Sequence, residues 1–285
     1  MPIDLHLHST ASDGRLKPEE LVRLSSKIGL KAISITDHDT VCGVETALNE
    51  AKKYHLNIVP AVELSSDFGG KDLHFLGYFI DFKQKWFLKH LEKLKDFRYK
   101  RALKMLEKLK EEGLEINFKD VIEEANDGVM GRLHLARVIV KKGYVDSIQK
   151  AFKRYLARNS HCYVAKYTYT PKEVIEIILN VGGIPVLAHP GLYDIDDKLD
   201  EFISYGLAGI EIYHTNHTWN DVRKYKDIAK RKGLLKTGGS DCHGLESSQG
   251  LLIGSLKIPD QYYKDLLKEK SSRDKQSHPL SGSGQ

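Results

Sequence analysis

Short apolar runs and amphipathic stretches alternate along the first part of this chain. Pro2–His8 places Ile3, Leu5 and Leu7 on one face of a strand. Pro18–Gly29 reads as a helix entered at a proline and left at a glycine. Lys31–Thr36 is strand-like, Gly43–Tyr54 helical, and Asn57–Leu64 and Leu73–Phe79 are strands again. Strands alternating with helices predict a parallel sheet or barrel. The pattern then changes. Phe87, Leu91, Leu94, Leu103, Leu106 and Leu109 recur near a period of about 3.5 residues, which predicts a long amphipathic helix or helical pair. Lys119–Asn126, Leu133–Lys142 and Ser147–Leu156 read as further helices. Alternation resumes with helix Lys172–Asn180, strand Ile184–Ala188, helix Leu199–Tyr205, strand Gly209–Tyr213, helix Asn220–Arg231 and strand Leu234–Gly238. The expected organisation is an α/β domain over residues 1–83 and 161–270, interrupted by a helical insertion over 84–160. Residues 271–285 are polar and Ser/Gly-rich, and are expected to form a disordered tail.

Composition narrows the class only a little. The 285 residues are 41% hydrophobic and 29% charged, ordinary for a globular protein. No apolar run approaches the roughly 18 residues of a membrane helix, and no membrane partner is expected. The opening Met1-Pro2-Ile3-Asp4 lacks the basic and apolar regions of a secretory signal. Cys42, Cys162 and Cys242 are odd in number and widely spaced, as reduced thiols of a cytoplasmic protein would be. Charge is uneven. Between Lys83 and Ser160 there are 20 Lys+Arg against 11 Asp+Glu, whereas the remainder is net acidic. A basic middle segment on an acidic body suits either a solvated helical surface or contact with a polyanion.

Candidate chemistry gathers at the strand ends. His6 and His8 stand two apart on a strand, so they project from the same face. Asp241 and His243 repeat that spacing after the strand ending at Gly238, with Cys242 turned away. His38 follows the strand Lys31–Thr36, Glu63 ends its strand, His74 begins one, His189 follows Ile184–Ala188, and Asp13 lies just beyond His8. In a parallel barrel such ends meet on one face. Nine nitrogen and oxygen donors are too many for one zinc ion, which takes about four. They fit two or three divalent ions, of manganese, iron or zinc, and such clusters suit hydrolysis at phosphorus.

At these residues the sequence resembles the PHP (polymerase and histidinol phosphatase) family of metal-dependent phosphoesterases. The carrying motifs are His6-x-His8-Ser9, Asp13-Gly14, Thr36-Asp37-His38-Asp39, the Glu63 segment, His74, Ala188-His189-Pro190 and Ser240-Asp241-x-His243. The resemblance implies a distorted (β/α)7 barrel with an inserted helical subdomain. It implies one ion on His6, His8, Glu63 and Asp241, a second on Glu63, His74 and His189, and a third on Asp13, His38 and His243. A metal-bound hydroxide held by Glu63, His189 and Asp241 would be the nucleophile.

Within the family, Gly131-Arg132-x-His134-x-Ala136, Tyr163-Val164-x-Lys166 and Gly209-Ile210-Glu211-Ile212-Tyr213-x-x-x-His217 are similar to nucleoside 3′,5′-bisphosphate phosphatases. That similarity implies a small phosphorylated nucleotide as substrate, such as 3′-phosphoadenosine 5′-phosphate, with Arg132, His134, Lys166 and His217 as substrate contacts. Asp37 and Asp39 flank His38 and are expected to orient it, with capping of the following helix as the alternative for Asp39. His214 reads as a satisfied side chain, and Glu211 is left outside the metal set. The alternatives are a 5′–3′ exoribonuclease on short RNA, a histidinol-phosphate phosphatase and a non-catalytic metal-bound module. Nothing in the sequence supports sequence-specific nucleic-acid binding.

Overall fold

A computed structural model describes residues 2–126, 128–244 and 251–277. Strand β1 (Ile3–Leu7), helix α1 (Pro18–Ile28), β2 (Ala32–Ile35) and α2 (Cys42–Ala51) lead into a long hairpin of β3 (Asn57–Phe68) and β4 (Lys71–Tyr78). Then come α3 (Lys85–Glu111), α4 (Phe118–Ala125), α5 (Arg132–Lys141) and α6 (Ile148–Ala151), the last followed by a short π-helix at Phe152–Leu156. Helix α7 (Pro171–Asn180), β5 (Ile184–Leu187), α8 (Leu199–Ser204), β6 (Gly209–Tyr213), α9 (Trp219–Lys232), β7 (Leu235–Gly238) and α10 (Gln261–Ser277) complete the order.

Local chemistry sets many of these boundaries. Thr170 and Thr218 each accept a hydrogen bond from the backbone N–H three residues on, at 3.3 and 3.2 Å, which caps α7 and α9. Gly29 closes α1 with φ 84°, where a side chain would be strained. The stretch expected to be a tail is helical as far as Ser277, because α10 continues past residue 270 with the pairs Glu269–Arg273 and Lys270–Asp274 at i,i+4. Residues 278–285 lie outside the described residues.

The seven strands form one sheet in sequence order. Pairing is parallel from β1 to β3 and from β5 to β7, but β4 is antiparallel to both neighbours. This corrects the all-parallel expectation for that pair. Gly69 and Gly70 both take positive φ and make a tight turn possible after Phe68, so β3 doubles back instead of crossing through a helix. Six strands therefore share a direction, and the reversed strand β4 brings its early residue His74 beside Ser65 near their carboxyl ends. The sheet nearly closes into a barrel: His8 N–H donates to Cys242 O at 3.1 Å, and Asp241 N–H to His6 O at 2.9 Å.

Helix α3 joins two cores. Its early residues Phe87, Leu91 and Leu94 pack into the barrel core with Tyr78, Val174 and Ile178. Its later residues Met105, Leu106 and Leu109 pack with Leu135, Ile139 and Leu156 in a separate helical cluster. Arg98 and Arg101 lie between these halves, on the same buried stripe.

The barrel seam is tight at Gly239. A Cβ there would stand 2.2 Å from His6 Cβ and 2.4 Å from His6 N. Gly239→Ala is expected to push β1 from β7 and lower stability by about 1–3 kcal/mol, the usual cost of overpacking. Urea unfolding measures this; an unchanged midpoint would show that the seam yields freely.

Candidate metal centre and phosphate cleft

Glu63 is fully buried and collects five imidazoles. Its Oε1 lies 3.0 Å from His74 Nδ1 and 3.1 Å from His189 Nε2. Its Oε2 lies 2.9 Å from His38 Nδ1, 3.2 Å from His8 Nε2 and 3.4 Å from His6 Nε2. Asp241 Oδ1 adds contacts to His8 Nε2 at 2.9 Å and His6 Nε2 at 3.3 Å. Asp13 Oδ1 stands 3.3 Å from His243 Nε2, and Asp13 Oδ2 3.9 Å from His38 Nε2. The nine sequence-predicted donors thus converge on one end of the barrel.

Three tight groups within this set could each hold an ion: His8, Asp13, His38 and His243; His6, His8, Glu63 and Asp241; and His38, Glu63 and His74. The grouping differs in detail from the implied assignment. His38 joins Glu63 and His74, His8 joins the Asp13 group, and His189 touches the cluster through Glu63.

The residues fit cations on their own chemistry. His6 Nε2, both His8 nitrogens, Asp13 Oδ1, His38 Nδ1, Glu63 Oε2, His74 Nδ1 and Asp241 Oδ1 are buried without a hydrogen-bond partner. Each such orphan costs about 1–3 kcal/mol unless something satisfies it. Electrostatics report the same crowding. Burial alone would raise Glu63, but His38, His74 and His6 hold it well below the usual carboxylate range. Burial would discharge His8, yet the carboxylates of Asp241 and Glu63 close beside it push it up to about 10. His189 falls to about 4 because burial outweighs its contact with Glu63.

A second layer fixes the rings. His6 Nδ1–H donates to Glu211 Oε1 at 3.0 Å, which turns Nε2 toward the cluster. Glu211 Oε2 accepts His189 N–H at 2.8 Å, and Tyr193 Oη lies 3.0 Å from His189 Nδ1. His214 Nδ1 accepts Asn216 N–H, so its Nε2–H faces Asp241 Oδ2 at 3.2 Å. His189 and Asp241 take φ of 29° and 53°, left-handed conformations that turn their side chains just past the strand ends. Cys242 points into the apolar layer with Leu7 and Ile35.

Asp37 and Asp39 play other parts than orienting His38. Asp37 accepts from Ser9 N–H and Oγ–H and from Ser12 Oγ–H at 2.6–2.7 Å, pinning the loop after β1. Asp39 does not cap α2, whose N-terminal position is Val41. It accepts from Arg98 Nε and Nη2 and from Ser65 N–H, and its carboxyl is lowered to about 2, burial being outweighed by Arg98.

A cleft of about 220 Å³ opens beside the cluster. Asp13, His38 and His74 line one side, and Arg98, Arg101, Arg132 and Lys166 supply cations to the rest. Asp72 sits among them, 3.4 Å from Lys166 Nζ and 3.6 Å from Arg132 Nη2. Lys166 is lowered to about 8 by burial and then by Arg98. Two expected substrate contacts lie outside this cleft. His134 is buried, with Nδ1 accepting Gly131 N–H at 3.0 Å at the start of α5. His217 has both nitrogens engaged, Nδ1–H to Ile212 O at 2.8 Å and Nε2 from Gly191 N–H at 3.1 Å. Sequence reasoning missed Arg98 and Arg101. Their signal was position: 87, 91, 94, 98, 101 and 105 form one buried stripe, and two arginines interrupt it.

A nearly closed barrel with this histidine- and carboxylate-rich end defines a metal-dependent hydrolase of phosphate esters. The PHP domain matches residues 4–167, and the chain belongs to the PHP family of metal-dependent phosphoesterases. It is 33% identical over 245 residues to a 5′-3′ exoribonuclease of Haemophilus influenzae, covering 84% of this chain and 89% of that one. It is 31% identical over 247 residues to a 3′,5′-nucleoside bisphosphate phosphatase of Chromobacterium violaceum, covering 85% and 87%. The solved structure of a Chromobacterium violaceum amidohydrolase, with sulfate bound and no metal, superposes with a TM-score of 0.86 at 28% identity, covering 96% of this chain and 97% of that one. Among the described residues, no helix is long and apolar enough to cross a membrane.

Metal loading should release protons. His8 is raised to about 10, so near pH 7 it carries a proton that a ligand cannot keep. At least one proton per chain is expected on loading, and affinity should climb as pH rises toward 10. A pH indicator in weakly buffered solution reads the release. Tight binding with none would remove His8 from the ligand set.

Proposed function

We propose that this enzyme removes a phosphate from a small nucleotide carrying two phosphates, a nucleoside 3′,5′-bisphosphate such as 3′-phosphoadenosine 5′-phosphate. One observation carries the reading. The cleft places ligating side chains on one side and four cationic side chains on the others. A scissile phosphate meets the first and a second phosphate the others. A substrate with one phosphate, such as histidinol phosphate, leaves Arg132 and Lys166 on Asp72 with no second phosphate to grip.

His6, His8, Glu63 and Asp241 would hold one ion, with Asp13, His38, His74 and His243 completing the neighbouring sites and His189 supporting Glu63. Divalent cations there would supply an activated water and neutralise charge developing at phosphorus. The chain's own residues do the rest. Glu211 and His214 keep His6 and Asp241 in register. Arg132 and Lys166 give up Asp72 to grip the second phosphate, the planar guanidinium taking two oxygens and the ammonium one. Arg98 and Arg101 stay fixed by Asp39 and by the Val164 carbonyl, so their charge is aimed in advance.

The 5′-terminal unit of 5′-phosphorylated RNA also has phosphorus on both sides of one ribose. Stepwise hydrolysis of short RNA is therefore a second reading. The balance of ten Lys+Arg against four Asp+Glu along α3 favours it, as does the activity named for the Haemophilus relative.

The test is phosphate release by metal-reconstituted protein from a nucleoside 3′,5′-bisphosphate and from the matching monophosphate. Turnover is expected on the bisphosphate and none in Asp241→Asn. Arg132→Ala should cut kcat/KM for the bisphosphate by about tenfold to a hundredfold, the worth of a lost charge-assisted contact, and leave the monophosphate nearly unchanged. Arg132→Lys should recover part of it. No release from the bisphosphate, or equal losses on both substrates, would defeat the two-phosphate reading.

A further inference from the structure

Asp13 stands apart from the other candidate ligands. It lies six residues past the end of β1, farther from its strand than any of the others. The barrel fixes part of its loop. Asp37 accepts hydrogen bonds from Ser9 and Ser12, and Arg15 N–H donates to His243 O at 2.9 Å. Gly14 N–H turns back to Ser9 O at 2.9 Å, and a Cβ on Gly14 would stand 2.2 Å from His8 O. The Asp13 carbonyl is met by the helical segment instead: Arg137 Nη2–H donates to it at 2.7 Å.

Arg137 belongs to α5 and is only 4% exposed, in a run where Leu135, Ala136, Val138 and Ile139 pack into the helical cluster. Glu124 of α4 accompanies it, with Oε1 4.0 Å from Arg137 Nε and 2.5 Å from Arg15 Nη1. Val129 N–H donates to Ala11 O at 3.0 Å, and a Cβ on Gly128 would stand 2.6 Å from Thr10 O. Helix α4, the turn after it and α5 therefore all bear on the loop that carries Asp13. A guanidinium among apolar side chains is costly unless it is paired, and packing alone would be served by a leucine at 137. What the arginine adds is a fixed donor on the main chain of one residue. That residue's carboxylate faces three imidazoles: Oδ1 lies 3.3 Å from His243 Nε2 and 3.8 Å from His8 Nδ1, and Oδ2 3.9 Å from His38 Nε2. A ligand left about 1 Å loose by its support is a site in name only.

We propose that Arg137 is a positioning residue for Asp13, so that the ion site formed by His8, Asp13, His38 and His243 is completed by the helical segment and not by the barrel alone. The same helix opens with Arg132, so α5 carries one arginine to the phosphate cleft and another to the ligand loop. This rests on the reading of Asp13 as a metal ligand, not on which substrate is cleaved.

The test is stepwise binding of Mn²⁺ to chelator-stripped protein, followed by titration calorimetry, with no substrate present. Asp13→Asn should weaken one binding step and so mark the step that uses Asp13. Arg137→Met should weaken that same step by about tenfold to a hundredfold, the usual loss when the support of a ligand is removed, and leave the other steps as they are. Arg137→Lys should lose less, because an ammonium keeps the charge and one donor but not the planar fork. Thermal melting separates positioning from packing. The extra stability that Mn²⁺ confers should shrink in Arg137→Met beyond any shift of the midpoint in excess chelator, whereas an arginine that only packs would move both midpoints together. If the step is weakened in Asp13→Asn but unchanged in folded Arg137→Met, the proposal is overturned and Asp13 remains a ligand. If Asp13→Asn alters no step, the ligand reading fails and the proposal with it. Should Arg137→Met not fold, Arg137→Lys decides: weakening confined to the Asp13 step supports the positioning role, and wild-type binding overturns it.

Discussion

One carboxylate, Glu63, sits out of water against five histidines. A buried charge is tolerated only beside positive charge. Here that charge comes from protons on rings such as His8, or from cations that replace them. The rest of the barrel end is arranged around that need. Strand β3 runs far enough to carry Glu63 to the open face, and the hairpin turn returns His74 to it. The closing seam brings His6 and His8 within reach, and Gly239 permits that seam because no side chain fits there. Two left-handed residues, His189 and Asp241, accept backbone strain to point inward. Hydrogen bonds from the His189 N–H to Glu211 and from the Asp241 N–H to His6 hold them there.

The cationic side of the site depends on a different constraint. Arg98 and Arg101 replace apolar residues on the inner stripe of α3. Arg98 stays charged there because Asp39 meets it, and Asp39 is itself held by Ser65 N–H from β3. The same strand thus carries Glu63 and, two residues later, the group that steadies the arginine's partner. Because α3 packs into both the barrel core and the helical cluster, its arginines are fixed relative to the histidines rather than carried on a loop. This gives the helical segment a chemical reason to exist: it supplies positive charge where the barrel supplies ligands.

Much of this was legible from spacing. Residues two apart on a strand share a face, so His6 with His8 and Asp241 with His243 could be read as pairs without a structure. Ligands from distant strands could be grouped because barrel strands end on one face. The hairpin was not read, although Gly69-Gly70 between two strand-like runs is a turn signal. Arg98 and Arg101 were hidden by averaging, since a basic helix surface and two buried arginines give the same net charge. His134 and His217 were assigned to substrate by motif, but His134 Nδ1 accepts the Gly131 N–H, and both His217 nitrogens are engaged, by the Ile212 carbonyl and the Gly191 N–H. Histidine at a turn satisfies backbone as readily as ligand, and only the partner atoms tell the two apart. The stretch from residue 271, expected to be a disordered tail, is helical to Ser277 because i,i+4 charge pairs sustain a helix where apolar residues run out.

Asp72 shows how the two halves of the site act on one another. It lies between Arg132 and Lys166, and its other neighbour is His74, 3.8 Å away. Without substrate, Asp72 is the counter-ion of the cationic side, and Lys166 with Arg132 holds it well below the usual carboxylate range. An incoming phosphate therefore gains only the difference between its own contact and the one Asp72 already makes. A dianion with three acceptor oxygens exceeds a carboxylate in both charge and geometry, whereas a weaker anion or a neutral hydroxyl does not. On the two-phosphate reading, competition from Asp72 would turn a generally sticky basic surface into one that selects phosphate. The same carboxylate stands beside His74 at the edge of the candidate metal cluster. On the two-phosphate reading, Asp72 would therefore couple the two phosphate positions, because the carboxylate that competes for the second also stands beside His74 at the first.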